Sequence, residues 1–120
     1  MKPSFFKSTT YAFNGVIKLL KNERNFNIQV VVTFILTIVG FYFNINTTEW
    51  VLQLLCCGLI LALEALNTAI EKVCDFINPE HDKRIGDIKD ISAGAVFIVS
   101  IFSLIIGLII YHKYFIELFN

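Results

Sequence analysis

The chain has 120 residues, enough for one domain, and 56% of them are hydrophobic while 17% are charged. A water-soluble fold of this size would expose much of that apolar surface, so the composition favours a membrane protein. Ten basic and ten acidic side chains give a formal net charge of zero, which provides no field for nucleic-acid binding. Cys56, Cys57 and Cys74 have no metal or redox spacing and are expected to be small apolar side chains of helices.

Residues 4–22 are predicted to form an amphipathic helix at the membrane surface. Apolar side chains recur there at helical spacing, and Lys7, Asn14, Lys18 and Lys21 share the opposite face. Lysines on one side and phenylalanines on the other suit the plane of a bilayer surface. An ordinary packed amphipathic helix has the same pattern, and both interpretations hold if the helix contacts the spans and the headgroups together.

Three apolar segments, at about 28–45, 50–77 and 91–111, are predicted to span the membrane. An Asn-Pro pair ends the second span, and the segment 78–90 is predicted to be a polar connector. Basic residues precede the first span and lie in this connector, whereas the loop 44–49 has no lysine or arginine. The positive-inside rule therefore predicts a cytoplasmic amino terminus and connector, with the carboxyl terminus outside.

A polar stripe on the second span is the most informative feature of the chain. Its members lie within an arc of about 80° on a helix; they are Glu64, Asn67, Glu71 and Asp75. Carboxylates at membrane depth are costly, so this polar stripe marks a functional site. Glu64 lies about 20 Å along the helix from Ile77, too deep for its carboxylate to reach the membrane surface easily.

Structural explanations remain open for some of these acidic residues. Glu71 and Asp75 could pair with Lys72 or Lys83 at the level of the headgroups. Asp90 could cap the third span, because an acidic residue is favourable at a helix amino terminus.

Further oxygen donors are predicted at the same side of the membrane. Glu23 precedes the first span, and Asp87 and Asp90 precede the third. Such donors suit Mg²⁺, which takes one or two protein carboxylates together with nucleotide phosphates. A partly desolvated carboxylate suits a general base for a lipid hydroxyl, and Lys89 could neutralise a transferring phosphate. This combination indicates phosphoryl transfer from ATP to a membrane-embedded alcohol.

Two other classes of protein share parts of this pattern. A small proton-coupled transporter would also bury a membrane glutamate, but it has no use for the charged cluster at 83–90. An assembly subunit could use the small residues opposite the polar stripe, but it leaves Glu64 and Asn67 unexplained. Those small residues are Gly58, Ala62, Ala65 and Ala69. Three spans can hardly enclose a multi-carboxylate site alone, so a homo-oligomer is expected.

Several motifs together resemble the small prokaryotic diacylglycerol kinase family, which includes the undecaprenol kinases. They are F-F-K-S-T-T-Y-A-F-N-G at 5–15, N-E-R-N-F at 22–26, E-x-x-N-T-A-I-E-x-x-x-D at 64–75, N-P-E-H at 78–81 and K-D-I-S-A-G-A-V at 89–96. The resemblance implies an all-α, homotrimeric protein of the bacterial inner membrane, with a surface helix, three spans and active sites shared between subunits. It implies an ATP- and Mg²⁺-dependent kinase of diacylglycerol or undecaprenol. The E-R-N and N-P-E motifs look more like the undecaprenol kinase branch.

The resemblance also implies a role for each site residue. Glu64 matches the catalytic base, Glu23 and Glu71 match the Mg²⁺ ligands, and Asn67 and Asp75 match supporting residues. The nucleotide-contacting positions are Tyr11, Glu23, Glu71, Glu80, His81, Asp82, Lys89 and Asp90. The chain departs from the family pattern at 80–82, where the family usually has Glu-Tyr-His, and at Ser4, where it commonly has arginine.

Overall fold

The computed structural model describes residues 2–80 and 82–120, and within these residues the chain is entirely helical apart from short connections. The helices are α1 (Phe5–Asn22), α2 (Arg24–Phe43), α3 (Thr47–Ile77) and α4 (Lys83–Leu118). The last three are long and apolar enough to cross a membrane. The predicted all-α architecture, with one amphipathic helix and three apolar spans, is confirmed.

Local side-chain contacts set the helix ends. The Ser4 hydroxyl accepts a hydrogen bond from the backbone N–H of Lys7 at 3.3 Å, which starts α1. Asn44 adopts a left-handed conformation with φ of 52° and ends α2. Asn46 and Glu49 then form a reciprocal capping box, with bonds of 2.9 and 3.0 Å. This box starts α3 at Thr47, earlier than the predicted residue 50.

The connector between α3 and α4 is shorter than the predicted polar segment 78–90. The Asp82 carboxylate accepts a hydrogen bond from the backbone N–H of Arg84 at 2.8 Å, so α4 begins at Lys83. Asp90 therefore lies inside α4, and its suggested role as the amino-terminal cap is wrong. With 36 residues, α4 is about 54 Å long and extends past a hydrocarbon core of roughly 30 Å.

The helices bury polar side chains and expose apolar ones. α3 packs mainly against α4 and also against α2, while α1 contacts α2. Among the described residues, six buried side chains are apolar, six are polar or charged, and none is fully enclosed. The Cα radius of gyration is 17.9 Å, against about 14 Å for a globular domain of this length. A single copy therefore lacks a closed apolar core, and its outer surface suits lipid or further protein.

Two buried polar residues of α3 join the helices at the loop end of the bundle, where residues 44–46 connect α2 to α3. Gln53 donates a hydrogen bond to the Leu36 carbonyl at 3.0 Å and accepts one from the Tyr111 hydroxyl. Glu49 accepts a hydrogen bond from the Tyr114 hydroxyl. These contacts fix α3 between α2 and α4 at the end opposite the connector.

Candidate functional site

Glu64 is the deepest acidic residue of the polar stripe, and only 6% of its surface is exposed. It lies in the middle of α3 because the apolar run before it forms one continuous helix with the stripe. Asn25, at the start of α2, lies within hydrogen-bonding reach of its carboxyl group. The negative charges of Glu23 and Glu71 also act on it. The structure therefore places a buried carboxyl group within the electrostatic influence of two other carboxylates, where either a proton or a cation would relieve the repulsion.

Asn67 lies one turn after Glu64 and is also buried. Its side-chain nitrogen donates a hydrogen bond to Glu71 Oε1 at 3.2 Å. Its Oδ1 atom is buried and has no hydrogen-bond partner within residues 2–80 and 82–120. Buried polar atoms in proteins are nearly always paired, so this oxygen is an acceptor for a donor or a cation.

Glu23 lies between α1 and α2 and contacts α3 from outside that helix. Its carboxylate forms an ion pair with Lys72 of α3 at 3.4 Å. Both residues line an open groove of about 580 Å³ between α1 and α3, which we name the surface-helix groove. Its walls are largely apolar and include Gly15, Ala65 and Ala69. An apolar groove with a charged end can take an amphipathic molecule such as a lipid.

A second cleft, which we name the connector cleft, lies where α3 and α4 leave the bundle. It has a volume of about 210 Å³ and is lined by Asp75, Asn78, Pro79, Glu80, Asp82, Ile85, Gly86 and Lys89. Lys89 pairs with Asp75 across the cleft at 2.6 Å. The cleft therefore gathers four of the predicted site residues, with a cation facing a carboxylate.

Some predicted site residues are not brought into contact with the others. In the described part of the chain, Tyr11 and Asp90 are exposed and make no side-chain hydrogen bond or ion pair. His81 lies outside the described residues. The suggested pairing of Glu71 and Asp75 with Lys72 or Lys83 is wrong, because Lys72 pairs with Glu23 and Asp75 pairs with Lys89.

The structure adds three residues that the sequence did not single out for the site. Asn25 faces Glu64, Lys72 neutralises Glu23, and Thr68 is buried beside Asn67 on α3. Asn25 belongs to the N-E-R-N-F motif, which was a signal for it. The pairing of Lys72 with Glu23 could not be predicted from local sequence, because the two residues lie far apart along the chain.

The donor set fits a magnesium ion shared with a nucleotide, although it does not form a complete protein cage. Among the described residues, no group of three or more His, Cys, Asp or Glu side chains is arranged to hold a metal. Mg²⁺ commonly takes only one or two protein carboxylates and completes its shell with phosphates and water. Glu23 and Glu71 could supply those carboxylates, and the unpaired Asn67 Oδ1 is a third hard oxygen nearby.

The fold and this site together define a class: a multi-pass membrane protein with a buried carboxyl group, further carboxylates and a charged cleft. Comparison with known proteins is consistent with that class. The family model for prokaryotic diacylglycerol kinase matches residues 10–111. An undecaprenol kinase of Bacillus subtilis is 37% identical over 107 residues, covering 89% of this chain and 87% of its own.

Two diacylglycerol kinases are also similar. The Haemophilus influenzae protein is 34% identical over 91 residues, covering 76% of this chain and 77% of its own. The Escherichia coli K12 protein is 28% identical over 109 residues, covering 91% and 89%. The chain belongs to the prokaryotic diacylglycerol kinase family and is a lipid kinase of the membrane.

Proposed function

We propose that this chain uses ATP and Mg²⁺ to phosphorylate a membrane lipid alcohol, and that this alcohol is undecaprenol rather than diacylglycerol. The observation that carries the reaction is the buried Glu64 beside Asn67 and Glu71, in a chain of a lipid kinase family. The preference for undecaprenol is supported by the E-R-N and N-P-E motifs. It is also supported by 37% identity to an undecaprenol kinase, against 34% and 28% to two diacylglycerol kinases.

Glu64 is proposed as the general base. It takes the proton of the lipid hydroxyl while the hydroxyl oxygen bonds to the γ-phosphorus of ATP and ADP leaves. Its depth in α3 suits an alcohol whose chain stays in the hydrocarbon core. The surface-helix groove, with apolar walls and the Glu23–Lys72 pair at one end, supports lipid entry from that side.

Glu23 and Glu71 are proposed to hold Mg²⁺ with ATP, supported by Asn67. When bound, the ion neutralises charge on the transferring phosphate. Tyr11, Glu80, His81, Asp82, Lys89 and Asp90 are proposed nucleotide contacts. Lys89 is already positioned by Asp75, so its ammonium group faces the connector cleft where phosphates would arrive.

The proposed assembly is a homotrimer with shared active sites. The incomplete metal cage and the open core of a single copy both support a second copy completing the site. The basic residues of α1 and of the first turns of α4 support a cytoplasmic location for this end of the bundle, with the carboxyl terminus outside the bacterial inner membrane.

The proposal is tested by phosphate transfer from labelled ATP, with undecaprenol and diacylglycerol offered separately in matched mixed micelles. Strong preference for diacylglycerol would overturn the branch assignment. Glu64→Gln is expected to lower kcat by about 10²- to 10⁴-fold without loss of folded protein, because general-base catalysis contributes that much. The matched control is Glu49→Gln, since Glu49 is also a buried carboxylate of α3 but lies at the loop end. Full activity of a folded Glu64→Gln protein would disprove the base assignment.

A further inference from the structure

We propose that a groove between α1 and α2 binds an anionic phospholipid of the surrounding bilayer, separately from the lipid substrate. This α1–α2 groove has a volume of about 540 Å³ and is lined by Lys21, Asn22, Arg24, Asn27, Ile28, Val31 and Val32. Its lining changes from cationic to apolar along α2, as the chemistry of an anionic phospholipid requires.

Two cations at one end of the groove have no acidic partner among residues 2–80 and 82–120. Lys21 lies in the last turn of α1 and Arg24 is the first residue of α2. Glu23, the acidic residue between them, is paired with Lys72 at 3.4 Å. Neither Lys21 nor Arg24 forms an ion pair with another described residue. Two unpaired cations side by side at a membrane surface attract a phosphate group.

The backbone adds to this attraction. No side-chain hydrogen bond from Glu23 caps α2, so the first N–H groups of a 20-residue helix remain available beside Arg24. The amino-terminal end of a helix dipole favours negative charge. The amino-terminal end of α2 therefore strengthens anion binding at Lys21 and Arg24. By itself, this helix end would not form a binding site.

The apolar end of the groove suits an acyl chain. Ile28, Val31 and Val32 follow Arg24 on α2 at helical spacing, and 47%, 55% and 41% of their surfaces are exposed. The groove is also preformed, because the Asn27 side chain donates a hydrogen bond to the Leu20 carbonyl at 2.8 Å and so fixes α1 against α2. A lipid can therefore place its phosphate at Lys21 and Arg24 and its chain along α2 without reorganising the helices.

The occupant is assigned as a bilayer phospholipid rather than the phosphorylated product. No residue of α3 lines the groove, and Glu64, Asn67 and Glu71 all belong to α3. The proposal does not rest on the proposed substrate or mechanism, and its test measures binding rather than catalysis.

The test uses the purified full chain in detergent, with native mass spectrometry during titration with phosphatidylglycerol or phosphatidylcholine of the same acyl chains. One phosphatidylglycerol per chain is expected to bind at least tenfold more tightly than phosphatidylcholine. Lys21→Gln combined with Arg24→Gln is expected to weaken the binding of phosphatidylglycerol by about 30-fold, since each cation near a membrane changes the affinity roughly fivefold. Val31→Phe, which fills the groove and leaves both charges, is expected to displace the lipid as well.

The control is Lys7→Gln with Lys83→Gln, which removes two exposed cations outside the groove. Equal weakening in this control would show diffuse surface attraction and overturn the site. Equal binding of the two lipids, or unchanged phosphatidylglycerol binding in both groove variants, would also overturn it. A changed oligomeric state with unchanged lipid binding would identify the groove as a contact between copies instead.

Discussion

Asn67→Leu is expected to leave the protein at least as stable as the original chain, while it raises the KM for Mg²⁺-ATP. Leucine has nearly the shape of asparagine, so the substitution removes polarity without opening a cavity. An unpaired buried polar atom such as Asn67 Oδ1 costs about 1–3 kcal/mol, and leucine removes that cost. Loss of the hydrogen bond from Asn67 to the exposed Glu71 destabilises the protein by up to about 1 kcal/mol, which partly offsets this gain. The net effect on the free energy of unfolding is therefore about +1 kcal/mol.

The same substitution is expected to raise the KM for Mg²⁺-ATP at least about tenfold, because a charge-assisted contact of roughly 1.4 kcal/mol or more would be lost. Stability is measured by denaturant titration in bicelles, and activity by initial rates at varied ATP. The matched control is Ser103→Ala on α4, since Ser103 Oγ is the other buried side-chain oxygen without a partner among the described residues. It is expected to leave the KM unchanged. Destabilisation of about 2 kcal/mol by Asn67→Leu, with an unchanged KM, would refute the reasoning.

Two further predictions concern packing at the loop end. Gln53→Leu and Tyr111→Phe each leave a polar atom without its partner, whereas the double variant leaves none from this bond. A double-mutant cycle in unfolding free energy is therefore expected to give coupling of about 1 kcal/mol, and additive effects would contradict this contact. Gly40→Ala would place its Cβ 2.7 Å from the Trp50 ring. It is expected to destabilise the bundle by about 1–3 kcal/mol, with recovery when Trp50→Leu is added; no recovery would contradict this packing.

The parts of the fold that depend on local pattern could be predicted from the sequence. The length of the apolar segments was sufficient to predict the three spans. Helical periodicity was sufficient to predict α1 and the polar stripe. Segment 83–90 was wrongly assigned to the polar connector predicted at 78–90. It is helical because Asp82 caps it, and Lys89 ties it to Asp75. That pair joins two helices, and charge composition carries no information about such a partner.

The same limit applies within the site. The stripe from Glu64 to Asp75 follows from one helix, so spacing alone was sufficient to predict it. The contacts of Glu23 with Lys72 and of Asn25 with Glu64 depend on how α1, α2 and α3 lie beside each other. Helix register across a bundle is set by packing over many residues, which a single sequence pattern does not specify.

The two ends of the polar face of α3 differ in whether their buried polar side chains are paired. At the loop end, Glu49 and Gln53 are buried, and the side chain of each is hydrogen-bonded to a neighbouring helix. Further along the same face, Asn67 keeps a buried oxygen without a partner in the described chain, and Glu64 faces further negative charge. Satisfied polar contacts hold helices together, whereas unsatisfied ones at membrane depth are costly unless a ligand completes them. In the proposed function, a cation and a phosphate complete this half of the face, and their binding would then stabilise this part of the bundle.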